Sequence, residues 1–106
     1  MNIRGNPTCR LITSSFASTF ILADEIAHGE IPKRFDPTLR VSVGVLQAHL
    51  GVEPAALLGV RLEDLEQAIK NRDIDLLHSS AEGIQEIIFR EGLIAIAEEC
   101  SRKEGG

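Results

Sequence analysis

The chain has 106 residues, with 43% apolar and 25% charged side chains and a net charge of -5. This composition is typical of one globular domain rather than of a disordered chain, and no stretch approaches the roughly 18 continuous apolar residues of a membrane span. The chain has no Trp or Tyr and only four Phe, which leaves little aromatic surface for stacking on nucleic-acid bases. We therefore predict a single domain over residues 1–106, with flexible ends at 1–6 and 103–106.

Charge is unevenly placed along the chain. Residues 1–50 carry five basic and four acidic side chains, whereas residues 51–106 carry six basic and twelve acidic side chains. Phosphate binding needs clustered Lys and Arg, so the second half has the wrong sign for nucleic acid. A basic protein partner suits it better.

The first predicted helix covers residues 7–28. Asn6-Pro7 is a favourable start, because Asn can cap a helix and Pro fits the first helical position, and Gly29 is a favourable stop. Apolar residues recur between them at three- and four-residue steps. The segment LITSSFASTFILA also has weak signal-peptide character, but five hydroxyl residues interrupt its apolar run.

A second helix is predicted from Pro37 to Leu50, with its stop at Gly51. The segment LRVSVGV also alternates with a period of two, so a strand over residues 38–46 is the alternative. We favour the helix because the period of 3.6 continues to Leu50 and no second convincing strand exists to pair with it.

Shorter helices are predicted to follow, one over PAALLGV and one through Leu62, Leu65 and Ile69. Ser79-x-x-Glu82 has the pattern of a capping box, which predicts a final long helix over about residues 80–103. The sequence thus predicts an all-α fold, a small bundle of about five helices with a long C-terminal helix.

The final helix carries apolar residues on two faces. Leu77 and Ile84 group on one side at 100° per residue, whereas Phe89 and Leu93 lie nearly opposite, so the apolar stripe changes sides near Gly92. Either the helix breaks there, or it stays straight and buries its second face against a second subunit. We predict a homodimer. The predicted interface with the second copy or with a partner protein consists of Ile87, Phe89, Leu93 and Ile96, rimmed by Glu86, Glu98 and Glu99.

The segment LQAHLGVEPAALLGV, residues 46–60, resembles a helix-turn-helix with its turn at Gly51. The packing positions would be held by Leu46, Leu50, Val52, Leu57 and Val60. The positions that would face DNA are Glu53, Pro54, Ala55, Ala56, Leu58 and Gly59, and none of these is a common reader of base edges. A DNA-binding transcription regulator is therefore the alternative function. Its phosphate contacts would come from Lys33, Arg34, Arg40 and Arg61.

The two cysteines, Cys9 and Cys100, belong to no Cys-x-x-Cys pair. We predict two free thiols and a cytoplasmic protein; a disulfide is the alternative if the helix ends meet.

Glu25-x-x-His28 has the spacing found in di-iron helical bundles. There is one such pair, at a predicted helix end, so we expect neither a metal nor another cofactor. No nucleophile–base pattern or phosphate loop is legible, and we expect no enzyme activity. The predicted function is that of a small acidic regulatory or adaptor protein, a homodimer that acts by binding another protein.

Overall fold

The computed structural model describes residues 6–101, and all the regular structure in this part of the chain is helical. Helix α1 spans Pro7–His28, α2 spans Pro37–Gln47 and α3 spans Val52–Asn71. The last helix, α4, covers residues 74–101 in three consecutive parts, which are α-helical at Ile74–Ile87, π-helical at Ile88–Gly92 and α-helical at Leu93–Ser101. The all-α prediction with a long C-terminal helix is confirmed, with four helices over the described residues rather than about five. The predicted flexible end at 103–106 lies outside this range, as do residues 1–5 of the predicted flexible end at 1–6.

The four helices form a bundle in which each neighbour runs in the opposite direction. α1 packs against α2 and α4, and α3 packs against the same two helices. The connections cover residues 29–36, 48–51 and 72–73, and such short links join antiparallel neighbours. Helix α4 is the longest, and the molecule is elongated, measuring 50 × 24 × 18 Å. No helix in residues 6–101 is both long and apolar enough to cross a membrane.

The bundle core consists of branched aliphatic side chains from every helix. Its largest fully buried apolar members are Ile12, Leu39, Val43, Leu46, Leu58, Leu65, Leu77, Ile84 and Ile88. Helix α1 adds a buried stripe of small residues at every fourth position, namely Ser15, Thr19, Ala23 and Ala27, which allows neighbouring helices to approach closely. The segment with signal-peptide character therefore forms part of the folded core.

Polar caps fix the starts of the first two helices. The Asn6 side chain accepts a hydrogen bond from the backbone N–H of Cys9 at 2.6 Å, and its amide group donates to the backbone carbonyl of Glu99 at 3.1 Å. Asn6, predicted to lie in a flexible end, is thus held by hydrogen bonds to both α1 and α4. Asp36 accepts from the N–H of Thr38 at 2.9 Å, and residues 38–46 are helical rather than extended.

Helix α3 is one continuous helix, so the prediction of two short helices in this region is wrong. Leu58, Leu62, Leu65 and Ile69 are all buried and follow one another at three- and four-residue steps, which is a single helical stripe. Gly59 lies within it although glycine weakens a helix interior by about 1 kcal/mol. A Cβ there would lie 3.0 Å from Nε2 of Gln47, so a larger residue at this position would require the end of the Gln47 side chain to move.

The start of α4 also differs from the prediction. The helix begins at Ile74, and its N-cap is Asp73, whose carboxylate accepts a hydrogen bond from the N–H of Leu76 at 3.1 Å. Ser79, the first residue of the predicted capping box, lies inside the helix, and its hydroxyl donates to the carbonyl of Leu76 at 3.2 Å. The capping-box prediction is wrong because the helix has already begun at an earlier cap.

This difference is testable by substitution at the two positions. We expect Asp73→Ala to lower the free energy of unfolding by about 1 kcal/mol, because it removes an N-cap. Ser79→Ala, the matched control at the predicted cap, should change it by less than about 0.5 kcal/mol. Urea denaturation followed by circular dichroism measures both values, and a larger loss from the Ser79 variant would contradict the observed helix start.

The π-helical turn explains why the apolar stripe of α4 changes sides. In a continuous α-helix, Ile96 and Cys100 would point about 120° and 160° away from Ile84. The extra residue accommodated by a π turn rotates the following segment back by about 100°, which directs both side chains towards α1. Gly92 ends the turn beside Phe16, where a Cβ would lie 2.9 Å from a ring carbon. The helix therefore neither breaks at Gly92 nor stays regular.

Candidate functional site

The first candidate binding surface is the part of α4 that faces away from the bundle around the π turn. We call Phe89, Leu93 and Ile94, with the flanking acids Glu86 and Glu98, the α4 outer face. The three apolar side chains are 60%, 43% and 55% exposed, although Phe, Leu and Ile are among the residues most often buried. Leu93 and Ile94 follow Phe89 by four and five positions, and because a π turn lies between them all three occupy one side of the helix.

These side chains are exposed because few helices surround this end of α4. The segment Leu93–Ser101 packs mainly against α1, and Ala95 is its one buried residue. Ile96, a predicted interface residue, is half-buried and packs against the core. Ile87, also predicted for the interface, is only 2% exposed; it belongs to the core, because it precedes the π turn and faces the bundle.

Acidic side chains flank the outer face. Glu86 and Glu98 are exposed, and Glu99 is half-buried beside Asn6, which hydrogen-bonds its carbonyl. Arg90 interrupts this acidic rim, with its Nε 3.4 Å from a carboxylate oxygen of Glu91. Within residues 6–101, the rim thus combines these carboxylates with the exposed cation of Arg90.

A disulfide fastens this end of the molecule. Cys9 near the start of α1 and Cys100 near the end of α4 are bonded, with their Cα atoms 4.8 Å apart. The prediction of two free thiols is wrong, because the antiparallel packing of the longest helices brings residues 91 positions apart in sequence to the same end. The bond holds the Leu93–Ser101 segment on α1, where buried apolar contacts are few.

The helix-turn-helix segment is present in outline, but its predicted packing register is wrong. Helices α2 and α3 are joined by residues 48–51, and Leu46 is buried as predicted. Val52, Leu57 and Val60, predicted for packing, are exposed, whereas Leu58, predicted to face DNA, is fully buried. The continuous stripe of α3 sets this orientation and overrides the spacing measured from Gly51.

The side chains predicted to contact DNA phosphates do not surround that turn. Lys33 and Arg34 lie in the connection before α2, and the turn follows its other end, about 16 Å away by the length of an 11-residue helix. Arg40 is bound to Glu66 at 2.6 Å, and Arg61 lies 3.5 Å from Asp64. Two of the four cations are thus paired with acids of the same chain.

The Glu25-x-x-His28 pair lies at the exposed end of α1. Nδ1 of His28 is 3.3 Å from a carboxylate oxygen of Asp24 and 3.0 Å from its carbonyl oxygen. Across residues 6–101, no group of three or more His, Cys, Asp or Glu side chains is placed to hold a metal ion. His28 is thus paired with Asp24 in the preceding turn of its own helix, as a helix-terminal histidine can be.

Comparison of the chain with known protein families, with characterised proteins and with solved structures finds no match. The candidate site therefore depends on its own geometry and chemistry.

Sequence analysis missed two groups of surface residues. Ile94 was not assigned to the outer face. The π turn determines which later residues lie on the same side of the helix as Phe89, and such a turn has no clear sequence signature. Lys70 and Arg72 were assigned to no site, although the fold brings them beside Lys33 and Arg34. Only the antiparallel arrangement of the helices reveals that proximity.

Proposed function

We propose that this chain is a small acidic regulatory or adaptor protein that binds other protein chains and assembles as a homodimer through the α4 outer face. The observation that carries the proposal is the exposure of three large apolar side chains on one short stretch of helix. Scattered exposed apolar residues are normal on protein surfaces, but neighbouring ones mark interaction sites. The adjoining π turn supports the proposal, since such turns occur often at functional sites.

Covering this face makes a favourable contribution to the free energy of association. Fully burying one exposed large apolar side chain contributes about 1.5–3 kcal/mol. Phe89 and Leu93 are 60% and 43% exposed, so each can contribute roughly half of that value. In a symmetric dimer the same residues are buried on both copies, so Phe89 and Leu93 together supply four such side chains. The acidic rim opposes self-association at low salt, and Arg90 provides a cation that can meet the rim of the second copy.

Leu93→Asp tests this proposal. We expect the substitution to raise the dimer dissociation constant at least about hundredfold, because a symmetric interface would bury two added charges and lose two apolar side chains. Val41→Asp is the matched control: Val41 is 67% exposed on α2, and its substitution should leave the dimer unchanged. Sedimentation velocity over a range of protein concentrations measures the association.

Three results would contradict the proposal. They are a monomeric wild-type protein at high micromolar concentration, an equal loss of association in the Val41 variant, or unfolding of the Leu93 variant in circular dichroism. The dependence of association on salt concentration distinguishes a second copy from a basic partner protein. Added salt should strengthen homodimerisation, because it screens the repulsion between the acidic rims, and should weaken binding to a basic protein.

The alternative function, a DNA-binding regulator, is favoured only by the α2–turn–α3 arrangement. The exposed start of α3 offers Glu53, Ala56 and Leu57, which lack the donors that read base edges in the major groove. Salt-dependent retention on duplex DNA, lost when Arg40 and Arg61 are changed to Gln, would support this function in place of the first.

The proposal includes no catalytic role. The sequence-based expectation of a cytoplasmic location depended on two free thiols. The disulfide removes that argument, because disulfides persist mainly in oxidising compartments. Recovery of Cys9 and Cys100 in the reduced form from intact source cells would favour the cytoplasm, and recovery of the disulfide would favour an oxidising compartment.

A further inference from the structure

A second surface, at the opposite end of the bundle from the α4 outer face, concentrates positive charge. The connection between α1 and α2 lies against the last turn of α3, and together they form an open groove of about 400 Å³. We call it the basic groove. It is lined by Lys33, Arg34, Phe35, Glu66, Ile69, Lys70 and Arg72.

The cations of this groove are available to a ligand. Lys33, Arg34 and Lys70 are exposed, and no hydrogen bond or ion pair within residues 6–101 engages their charged groups. Arg72 donates a hydrogen bond to the carbonyl of Pro32 at 2.6 Å, which ties the connection to the end of α3. This contact holds the two sides of the groove together and leaves three free cations around it.

The groove differs in charge from the rest of the chain. Four of its residues are cationic, and its one acid, Glu66, is already paired with Arg40 at 2.6 Å. The whole chain carries -5, so most of the remaining surface repels anions. The local charge of the groove therefore favours the approach of an anion.

The floor of the groove is apolar. Ile69 is buried, and Phe35 is half-buried and packs against the core. The guanidinium carbon of Arg40 lies 5.0 Å from the centre of the Phe35 ring, so a cation already occupies one face of that ring. Apolar side chains can rest on this floor while carboxylates meet the surrounding cations.

We propose that the basic groove binds an acidic peptide segment of a partner protein, with Asp or Glu side chains meeting Lys33, Arg34 and Lys70. Arg and Lys bind carboxylates through charge-assisted hydrogen bonds, and the apolar floor favours a peptide that also carries Leu or Ile. A nucleic-acid strand fits less well, because it needs an extended basic surface and free aromatic faces for its bases. A lone phosphate fits less well because the cations line an open groove rather than converging on one point.

Fluorescence anisotropy with a labelled decapeptide of eight Glu and two Leu tests the assignment on the full chain. We expect binding at low salt that weakens as salt is added, since the contacts are exposed charges. Lys33→Glu with Arg34→Glu should weaken binding at least about tenfold. Lys70→Gln, which removes a charge without placing an acid at the end of α3, should weaken it about threefold.

Arg10→Glu is the matched control. Arg10 is exposed near the start of α1, at the far end of the bundle, and its reversal changes the net charge by the same amount per site. A loss from Arg10→Glu as large as that from the groove variants would overturn the proposal, as would no binding of the peptide at low salt. Tighter binding of a 12-base-pair duplex or of inorganic phosphate with the same groove dependence would replace the peptide with that ligand. Circular dichroism of each variant confirms that the fold is retained.

Discussion

Removing the disulfide between Cys9 and Cys100 is expected to lower the free energy of unfolding by about 4 kcal/mol. The bond joins residues 91 positions apart, and closing so long a loop restricts the unfolded chain strongly. A domain of this size is stable by only about 5–15 kcal/mol in total. The bond therefore supplies a large share of the stability, and its loss should lower the midpoint of thermal unfolding by more than about 10 °C.

The double variant Cys9→Ser, Cys100→Ser measures this contribution in urea denaturation. Each single Ser variant is the matched control, because losing either thiol removes the same bond, and all three variants should lose the same stability. Hydrogen exchange should also show early opening of Leu93–Ser101, which has few buried apolar contacts of its own. A double variant as stable as the wild type, or two titratable thiols in the non-reduced protein, would show that the bond does not support the fold.

The sequence contained enough information to predict the first two helices closely. Their starts depend on Asn6-Pro7 and Asp36-Pro37, where a capping side chain and a proline act locally, and both caps are observed. Local signals of this kind need no knowledge of the rest of the fold. The same is true of Gly29 as the residue that follows α1.

The errors arose where tertiary contacts outweigh local signals. The short helix over PAALLGV is predicted to end at Val60, but packing of the Leu58 stripe keeps α3 continuous. Ser79 was a plausible cap by spacing, yet Asp73 caps the helix earlier and makes Ser79 an interior residue. The core also contains Thr19 and Ser80, which are fully buried and which no apolar pattern could identify.

The candidate site was only partly predictable for a related reason. Phe89 and Leu93 were recognised because their apolar stripe departs from that of Ile84. The physical cause is a π turn at Ile88–Gly92, which depends on how α4 packs against α1 beyond the end of α2. The packing of α4 against α1 also brings the two cysteines together, so the free-thiol prediction failed for the same reason. The basic groove was missed because it joins side chains 37 positions apart, from Lys33 to Lys70.

Deleting a single residue of α4 is expected to have opposite consequences on the two sides of the π turn. Without Arg90, the turn can close as a regular α-helix, and Ile96 then follows Ile84 by 11 positions, which keeps it within about 20° of the same direction. Cys100 stays directed towards Cys9 for the same reason. We expect the Arg90 deletion to retain the disulfide and to cost less than about 2 kcal/mol, because the ion pair that it removes is exposed.

Deletion of Glu82 is the matched control, because it removes another exposed residue of α4. Glu82 lies in the regular α-helical part, which has no π turn that could compensate for the lost residue. The preceding turns must then rotate by about 100° relative to the rest of the helix, which takes Leu77 and Ala81 out of the core. Both are fully buried, and losing a buried Leu alone costs about 2–5 kcal/mol, so we expect the deletion to abolish cooperative folding. Urea denaturation and the mass of the non-reduced protein measure the two outcomes. If the two deletions were equally harmful, the π turn would not be the element that restores the alignment of α4 with α1.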